Sequence, residues 1–154
     1  MDERKSWKIK KVCTWWKCIG SSLSIREKNT IPLKQQILNN QIESYTTIIA
    51  LTELMYILCR KLNFEFTENK KDLLLRSGMI KIIDTKILME EASKLKCKYP
   101  IALGKYPIAL ADCYTLALAK LFNCIALFAK EESEIKSIIE KKSLKIPVVF
   151  LEKL

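Results

Sequence analysis

The stretch "IALADCYTLALAKLFNCIALFAKEESEI", residues 108–135, holds the pattern that decides the fold. Its apolar run from Ala109 to Asn123 predicts a helix, and the short aliphatic run Ile125–Phe128 predicts a buried strand. A second helix is predicted from Glu131 to about Glu140. A helix followed by a strand and another helix is the unit from which parallel sheets are built.

The rest of the chain continues this alternation. Further strands are predicted at Ile42–Thr47, Met79–Ile83 and Val148–Leu151, and further helices at Ile48–Leu62, Glu68–Ser77 and Lys86–Lys98. This order predicts an α/β fold in which a parallel β-sheet is flanked by helices. Residues 1–28 show no assignable element, which leaves the first strand uncertain. We therefore expect a basic segment at 1–28 and one domain at 29–154.

Composition points to a nucleic acid partner and excludes several chemistries. The 154 residues carry a net charge of +10, and residues 1–28 hold eight basic and three acidic residues. Such a surplus favours a polyanion such as RNA, although a solvated lysine coat stays an alternative. The chain has no histidine, which excludes a Ser-His-Asp triad, a Cys-His pair and His-ligated metals. The spacing of the six cysteines argues against zinc. The absence of a secretory signal or membrane span predicts a cytoplasmic protein.

Two acidic residues stand in otherwise apolar helices. Glu53 is the one acid of the predicted helix Ile48–Leu62, and Asp112 is the one acid of the predicted helix 109–123. Neither has a basic residue three or four positions away, where a helical neighbour would lie. Such a carboxylate is costly unless it reaches solvent, a partner or a metal. Both also lie within the first two turns, where the helix dipole favours acids, so a purely structural role stays open.

Acidic residues also follow the predicted strand Ile125–Phe128, namely Glu131, Glu132 and Glu134. Sites in parallel sheets gather at the carboxyl ends of strands, although an ordinary acidic helix start is the alternative. Carboxylate oxygens from different elements suit Mg²⁺ or Mn²⁺. Such a metal activates water and neutralises the charge of a phosphodiester. A basic protein with clustered acids and no histidine therefore suggests a metal-dependent nuclease.

Two segments resemble motifs of the PIN domain family. Residues 45–62, "YTTIIALTELMYILCRKL", are similar to its second motif, and residues 108–135 are similar to its third and fourth motifs. The resemblance covers residues 41–154 and implies an α/β/α fold and a VapC-type toxin, which is a Mg²⁺- or Mn²⁺-dependent ribonuclease. It implies Glu53, Asp112 and Glu132 as catalytic, metal-binding residues. It also implies RNA as substrate, and an antitoxin protein and a second copy of the chain as partners.

Two features depart from the family pattern. The family opens with a short apolar strand that ends in Asp, whereas residues 4–26 contain no acid. The first ligand is therefore missing, and the strand that carries it is unassigned. The fourth acid aligns with Lys130, Glu131 or Glu132, depending on the gap. We take Glu132 as the ligand, with Glu131 as second choice.

A six-residue segment that recurs after seven positions precedes Asp112. Lys98–Leu103 recurs letter for letter as Lys105–Leu110, and only the second copy leads into the helix that carries Asp112. The first copy has Lys105 at the equivalent position. Each copy contains proline, which disfavours one continuous helix through both. We expect the duplication to lengthen the connection before the helix without adding a second site.

Three hypotheses follow. The chain is a weakened metal-dependent ribonuclease, or it is an inactive PIN-like module that binds RNA or an antitoxin without cutting. In the third, a wrong start or a frameshift has replaced the first strand. The retained Glu53 and Asp112 favour the first hypothesis, and the missing acid favours the second.

Overall fold

The computed structural model describes residues 11–14, 35–36, 39, 41–99, 108–131, 133–140 and 144–153, with residues 13 and 14 described by their backbone. The strands are β1 (Lys11–Thr14), β2 (Glu43–Thr47), β3 (Lys81–Ile83), β4 (Ile125–Phe128) and β5 (Val148–Phe150). The helices are α1 (Ile48–Lys61), α2 (Phe64–Arg76), α3 (Thr85–Lys98), α4 (Leu110–Leu121) and α5 (Ser133–Glu140). A 3₁₀ helix, Leu151–Lys153, follows β5.

The five strands form one parallel sheet in the order β3-β2-β1-β4-β5. Parallel neighbours require crossover connections, and the helices supply them. The predicted α/β fold with a parallel sheet flanked by helices is therefore confirmed. Within the described ranges, no helix has the length and apolarity needed to span a bilayer.

The central strand comes from the segment that the sequence leaves unassigned. In β1, Val12 pairs with Ser44 of β2 on one side and with Ile125 of β4 on the other. Val12 is 1% exposed, so β1 lies in the interior. A four-residue strand beside lysines shows too little alternation of apolar and polar residues to be predicted. Its pairing with β2 and β4 identifies it as a strand. Part of the basic segment therefore belongs to the sheet, and the boundary near residue 28 stays a prediction.

Helix α2 begins earlier than predicted. Asn63 is its N-cap, and Asn63 Oδ1 accepts a hydrogen bond from the Phe66 amide at 2.7 Å. Asparagine is among the best N-cap residues, so the helix starts at Phe64 rather than at Glu68. Gly78, which has a φ of 67°, follows the helix as predicted, because glycine adopts this left-handed conformation at little cost.

Helix α4 is buried on most of its surface and organises the core. It packs on β1, β2 and β4 and also contacts α1 and α3. Side chains alternate between the two faces of β4. Ala126 and Phe128 join the main core, whereas Leu127 packs in a second cluster with Ala129 and Leu151. The buried residues of α4 are Ala111, Asp112, Cys113, Thr115, Leu116, Ala117, Leu118 and Ala119.

Glu43 joins three strands at the amino edge of the sheet. Its carboxylate lies 3.8 Å from Lys11 Nζ on β1 and 3.6 Å from Lys81 Nζ on β3, and Tyr45 Oη donates to it at 2.6 Å. The hydrogen bond from Tyr45, and next the charge of Lys81, hold the pKa of Glu43 below its usual value. These contacts favour the observed register of β1 beside β2.

Replacing Glu43 with Gln is expected to lower the melting temperature at neutral pH. The folded-state pKa of Glu43 lies below the ordinary value of 4.5. Its contribution is therefore present above that pH and is lost as the pH falls through the folded pKa. Circular dichroism melts should show a gap between wild type and Glu43→Gln that closes below about pH 4.5. Glu68→Gln, which changes an exposed acid of α2, is the control. A gap of equal size at every pH would contradict the argument.

Candidate functional site

The predicted acids lie toward the carboxyl edge of the sheet. β2 runs directly into α1, whose second turn carries Glu53. α4 ends at the amino edge, where β4 begins, so its first turn with Asp112 lies back at the carboxyl edge. Glu131 follows the end of β4, and Glu132 lies outside the described residues. This is the edge at which sites of parallel sheets gather.

Asp112 is a buried carboxylic acid in the first turn of α4. The residue is 2% exposed, and its Oδ1 atom is shielded from solvent. The N-cap of α4 is Ala109, which makes no side-chain capping hydrogen bond. The amides and the dipole of the helix start therefore favour a negative charge at this position. A carboxylate stays in such surroundings only where neighbouring groups stabilise it.

Glu53 approaches from α1. Thr47 Oγ1 accepts a hydrogen bond from the Ala50 amide at 3.1 Å, which fixes the start of this helix. Glu53 is half-buried, and its Oε2 atom is shielded from solvent. Because α1 contacts α4, the helices that carry Glu53 and Asp112 pack against each other. Convergence of the two carboxylates within metal-bridging reach stays a prediction.

Glu131 takes part in ion pairs with two lysines. Its Oε1 lies 2.9 Å from Lys136 Nζ on α5, and its Oε2 pairs with Lys153 in the 3₁₀ helix. The Glu131 amide also donates to Glu152 Oε1 at 2.5 Å. Both carboxylate oxygens therefore tie the loop after β4 to α5 and to the 3₁₀ helix. This arrangement gives Glu131 a structural role, because its charge is already balanced by neighbours.

The remaining acids fit a weakly held divalent cation. Among the described residues, no three Cys, Asp or Glu side chains are grouped closely enough to hold a metal ion. Asp112 and Glu53 each offer a hard oxygen ligand from a different helix. Mg²⁺ usually keeps several waters and takes only one or two carboxylates together with substrate phosphates. Two carboxylates therefore suit such an ion, with the other positions left to water and phosphate.

The PIN domain family model matches residues 23–138. The chain belongs to the PIN domain family. The match includes the turns that carry Glu53 and Asp112 and also contains Glu132. It begins after β1, so the structure extends the likeness to the first strand of the sheet.

Solved structures share the fold of this PIN domain. VapBC2 from Rickettsia felis, bound to a promoter DNA fragment, is similar with a TM-score of 0.67 and 15% identity, covering 91% of this chain and 98% of that one. FitAcB from Neisseria gonorrhoeae is similar with a TM-score of 0.65 and 17% identity, and the match covers 93% of this chain and 99% of that one. Mycobacterium tuberculosis VapC20, a Sarcin-Ricin loop cleaving toxin, is similar with a TM-score of 0.59 and 14% identity. The match covers 82% of this chain and 94% of that one. No curated protein sequence matches the chain significantly.

The first strand of this PIN domain is present, but no acid follows it. β1 ends at Thr14, and its register sets Cys13 beside Tyr45 of β2 and Ala126 of β4. The departure from the family pattern therefore lies in residue type at the end of the central strand. It does not result from a missing strand.

Lys96 is a residue of this region that sequence reasoning missed. It lies in the last turn of α3, and its Nζ donates to the Ile108 carbonyl just before α4. Its charge also reaches Cys113. Burial raises the pKa of the Cys113 thiol to about 11, the Lys96 charge opposes that rise, and the Asp112 charge adds to it. In "SKLKCKY" nothing distinguishes this lysine from Lys94 or Lys98, so the sequence carries no signal for it.

The thiols of this PIN domain should differ sharply in reactivity. Cys97 is exposed and Cys113 is buried, and the thiolate is the reactive form. Iodoacetamide at mildly alkaline pH should modify Cys97 and leave Cys113 unmodified until the protein unfolds. Peptide mass spectrometry resolves each site. Cys124, which is disulfide-bonded, should stay unmodified without reductant, and Cys97→Ser should abolish fast labelling of the peptide that contains position 97. Equal labelling of Cys97 and Cys113 in the folded protein would contradict this expectation.

Proposed function

We propose that the protein is a divalent-metal-dependent ribonuclease of the toxin–antitoxin type, with activity weakened by the missing first acid. The observation that carries the proposal is the burial of Asp112 in the first turn of α4, at the carboxyl edge of a PIN fold. Glu53 on the contacting helix α1 is the second carboxylate at that edge. The charge of both residues, the burial of Asp112 and the contact between their helices support the proposal.

Asp112 and Glu53 would hold Mg²⁺ or Mn²⁺, and Glu132 is the proposed third acid. When bound, the metal would supply a water of lowered pKa and would neutralise charge on the phosphodiester. The two carboxylates would orient such an ion, and the burial of Asp112 would strengthen its electrostatic effect. The first turn of α4 contributes backbone amides beside the same edge.

RNA is the proposed substrate. The net charge of +10 favours a polyanion, and lysines dominate the surplus. VapC20, whose fold this chain shares, is a Sarcin-Ricin loop cleaving toxin. We expect single-stranded RNA to be cut.

An antitoxin protein is the proposed partner in the cytoplasm, with a second copy of the chain as a further partner. Similar folds occur in VapBC2 from Rickettsia felis and in a toxin–antitoxin complex from Klebsiella pneumoniae. A buried acidic centre and exposed apolar residues on α2, among them Phe64 and Leu73, are consistent with a protein that is bound by another chain.

A second candidate function is binding without cleavage. It is favoured by residues 4–26, which contain no acid although the family pattern has one there, and by Glu131, whose carboxylate pairs with two lysines. In that case the protein would bind RNA or an antitoxin and would not hydrolyse phosphodiesters.

Cleavage of single-stranded RNA should be slow, should need Mg²⁺ or Mn²⁺, and should stop in EDTA. Asp112→Asn should lower the rate about a hundredfold or more, because it keeps the shape and removes the charge that stabilises the transition state. Asp72→Asn, the same change on α2, is the matched control. Rates unaffected by both EDTA and Asp112→Asn would refute the ribonuclease proposal. Intact RNA together with no detectable Mn²⁺ binding would favour the binding module.

A further inference from the structure

Helix α4 starts without the usual means of fixing a helix terminus. Its N-cap, Ala109, forms no side-chain capping hydrogen bond. The preceding connection is long, because residues 99–109 join α3 to α4 and include the second copy of the duplicated segment. A longer connection restricts the position of the following element less. The first turn of α4 therefore needs an anchor from elsewhere in the fold.

Helix α3 provides contacts at both ends of α4. Near the start, Lys96 Nζ donates to the Ile108 carbonyl. Near the end, Lys120 of α4 pairs with Glu91 in the middle of α3, where the Glu91 side chain is only 14% exposed. Between these contacts Ala92 and Leu95 of α3 lie in the main core. The two helices are thus antiparallel, and each end of α4 is tied to α3 through a lysine.

The contact at the start is chemically specific. Ile108 is 2% exposed, and a buried backbone carbonyl needs a hydrogen-bond donor. The donor is a charged ammonium group, which makes a stronger hydrogen bond than a neutral one. Lys96 binds the carbonyl of Ile108 in the second copy of the duplication, the copy that continues into the helix with Asp112. The Lys96 charge also opposes the rise in the pKa of the thiol of Cys113, the neighbour of Asp112, as expected for an ammonium group near this turn.

We infer that Lys96 is a positioning residue, which holds the first turn of α4, and with it Asp112, in place against α3 after the lengthened connection. The inference deepens the proposed function, since it concerns the helix turn that carries the proposed metal ligand. Lys96 thereby compensates for the missing N-cap.

Hydrogen exchange tests the anchoring directly. Lys96→Met keeps the aliphatic stem and removes the donor. It should speed exchange of the Cys113 amide, which bonds to the Ala109 carbonyl, and of the Tyr114 amide by about tenfold or more. Lys96→Arg should restore protection, because guanidinium can donate to the same carbonyl. Glu91→Gln should affect only the opposite end of α4, and Lys94→Met, an exposed lysine of α3, should change neither end.

Measurements of kcat and KM separate a positioning role of Lys96 from a role in general stability. On single-stranded RNA, Lys96→Met should lower kcat by roughly tenfold to a hundredfold with KM unchanged, since a small displacement of a catalytic group has effects of this size. Lys96→Arg should recover most of the rate. A raised KM with unchanged kcat would show that Lys96 contacts RNA instead, and would overturn the inference.

Failure of the two proposals is distinguishable. If the wild type cuts no RNA, the proposed ribonuclease function fails, and the exchange data alone decide whether Lys96 anchors the helix start. Unchanged exchange at Cys113 and Tyr114 in Lys96→Met overturns the inference. Faster exchange over the whole chain in that variant also overturns it, because the lysine would then support global stability rather than this turn.

Discussion

The burial of α4 against three strands is the constraint on which the rest of the structure depends. The helix packs on β1, β2 and β4 together. Its position therefore requires that β1 lie between β2 and β4. Ala117 and Ala119 are at most 1% exposed, and small side chains of this kind let the helix approach the sheet closely. The same close approach carries Asp112 into the interior. The position of the proposed centre is therefore a consequence of core packing.

Most of the sheet could be predicted because its strands and helices have distinct patterns. The limits predicted for the strand Ile125–Phe128 are the observed ones, because its short apolar run is a local pattern. β1 could not be predicted in this way. Its four residues gain their conformation from hydrogen bonds to β2 and β4, which lie far away in the sequence. The start of α2 was also missed, because Asn63 is compatible with either end of a helix until its side-chain hydrogen bond is known.

The candidate site was predictable only in part. Glu53 and Asp112 stand out as acids in apolar helices, and the structure sets both on contacting helices at one edge. Their roles as ligands stay predictions, as does that of Glu132. The ion pairs of Glu131 were beyond sequence reasoning because Lys153 comes from the last described turn of the chain. Lys96 was missed for a related reason. Its hydrogen bond to the Ile108 carbonyl, from a different segment, distinguishes it from Lys94 and Lys98.

The central position of β1 also has a consequence for the order in which the protein matures on the ribosome. Val12 is translated long before its second neighbour, Ile125. Pairings between such distant segments form late and slowly. Until β4 emerges, β1 has at most one of its two partner strands, and α4 has an incomplete surface to pack on. The edge of the sheet toward which Asp112 and Glu53 lie is therefore complete only after β4 has been made. A ribosome making this protein is thus kept apart from the completed edge until that strand has been synthesised.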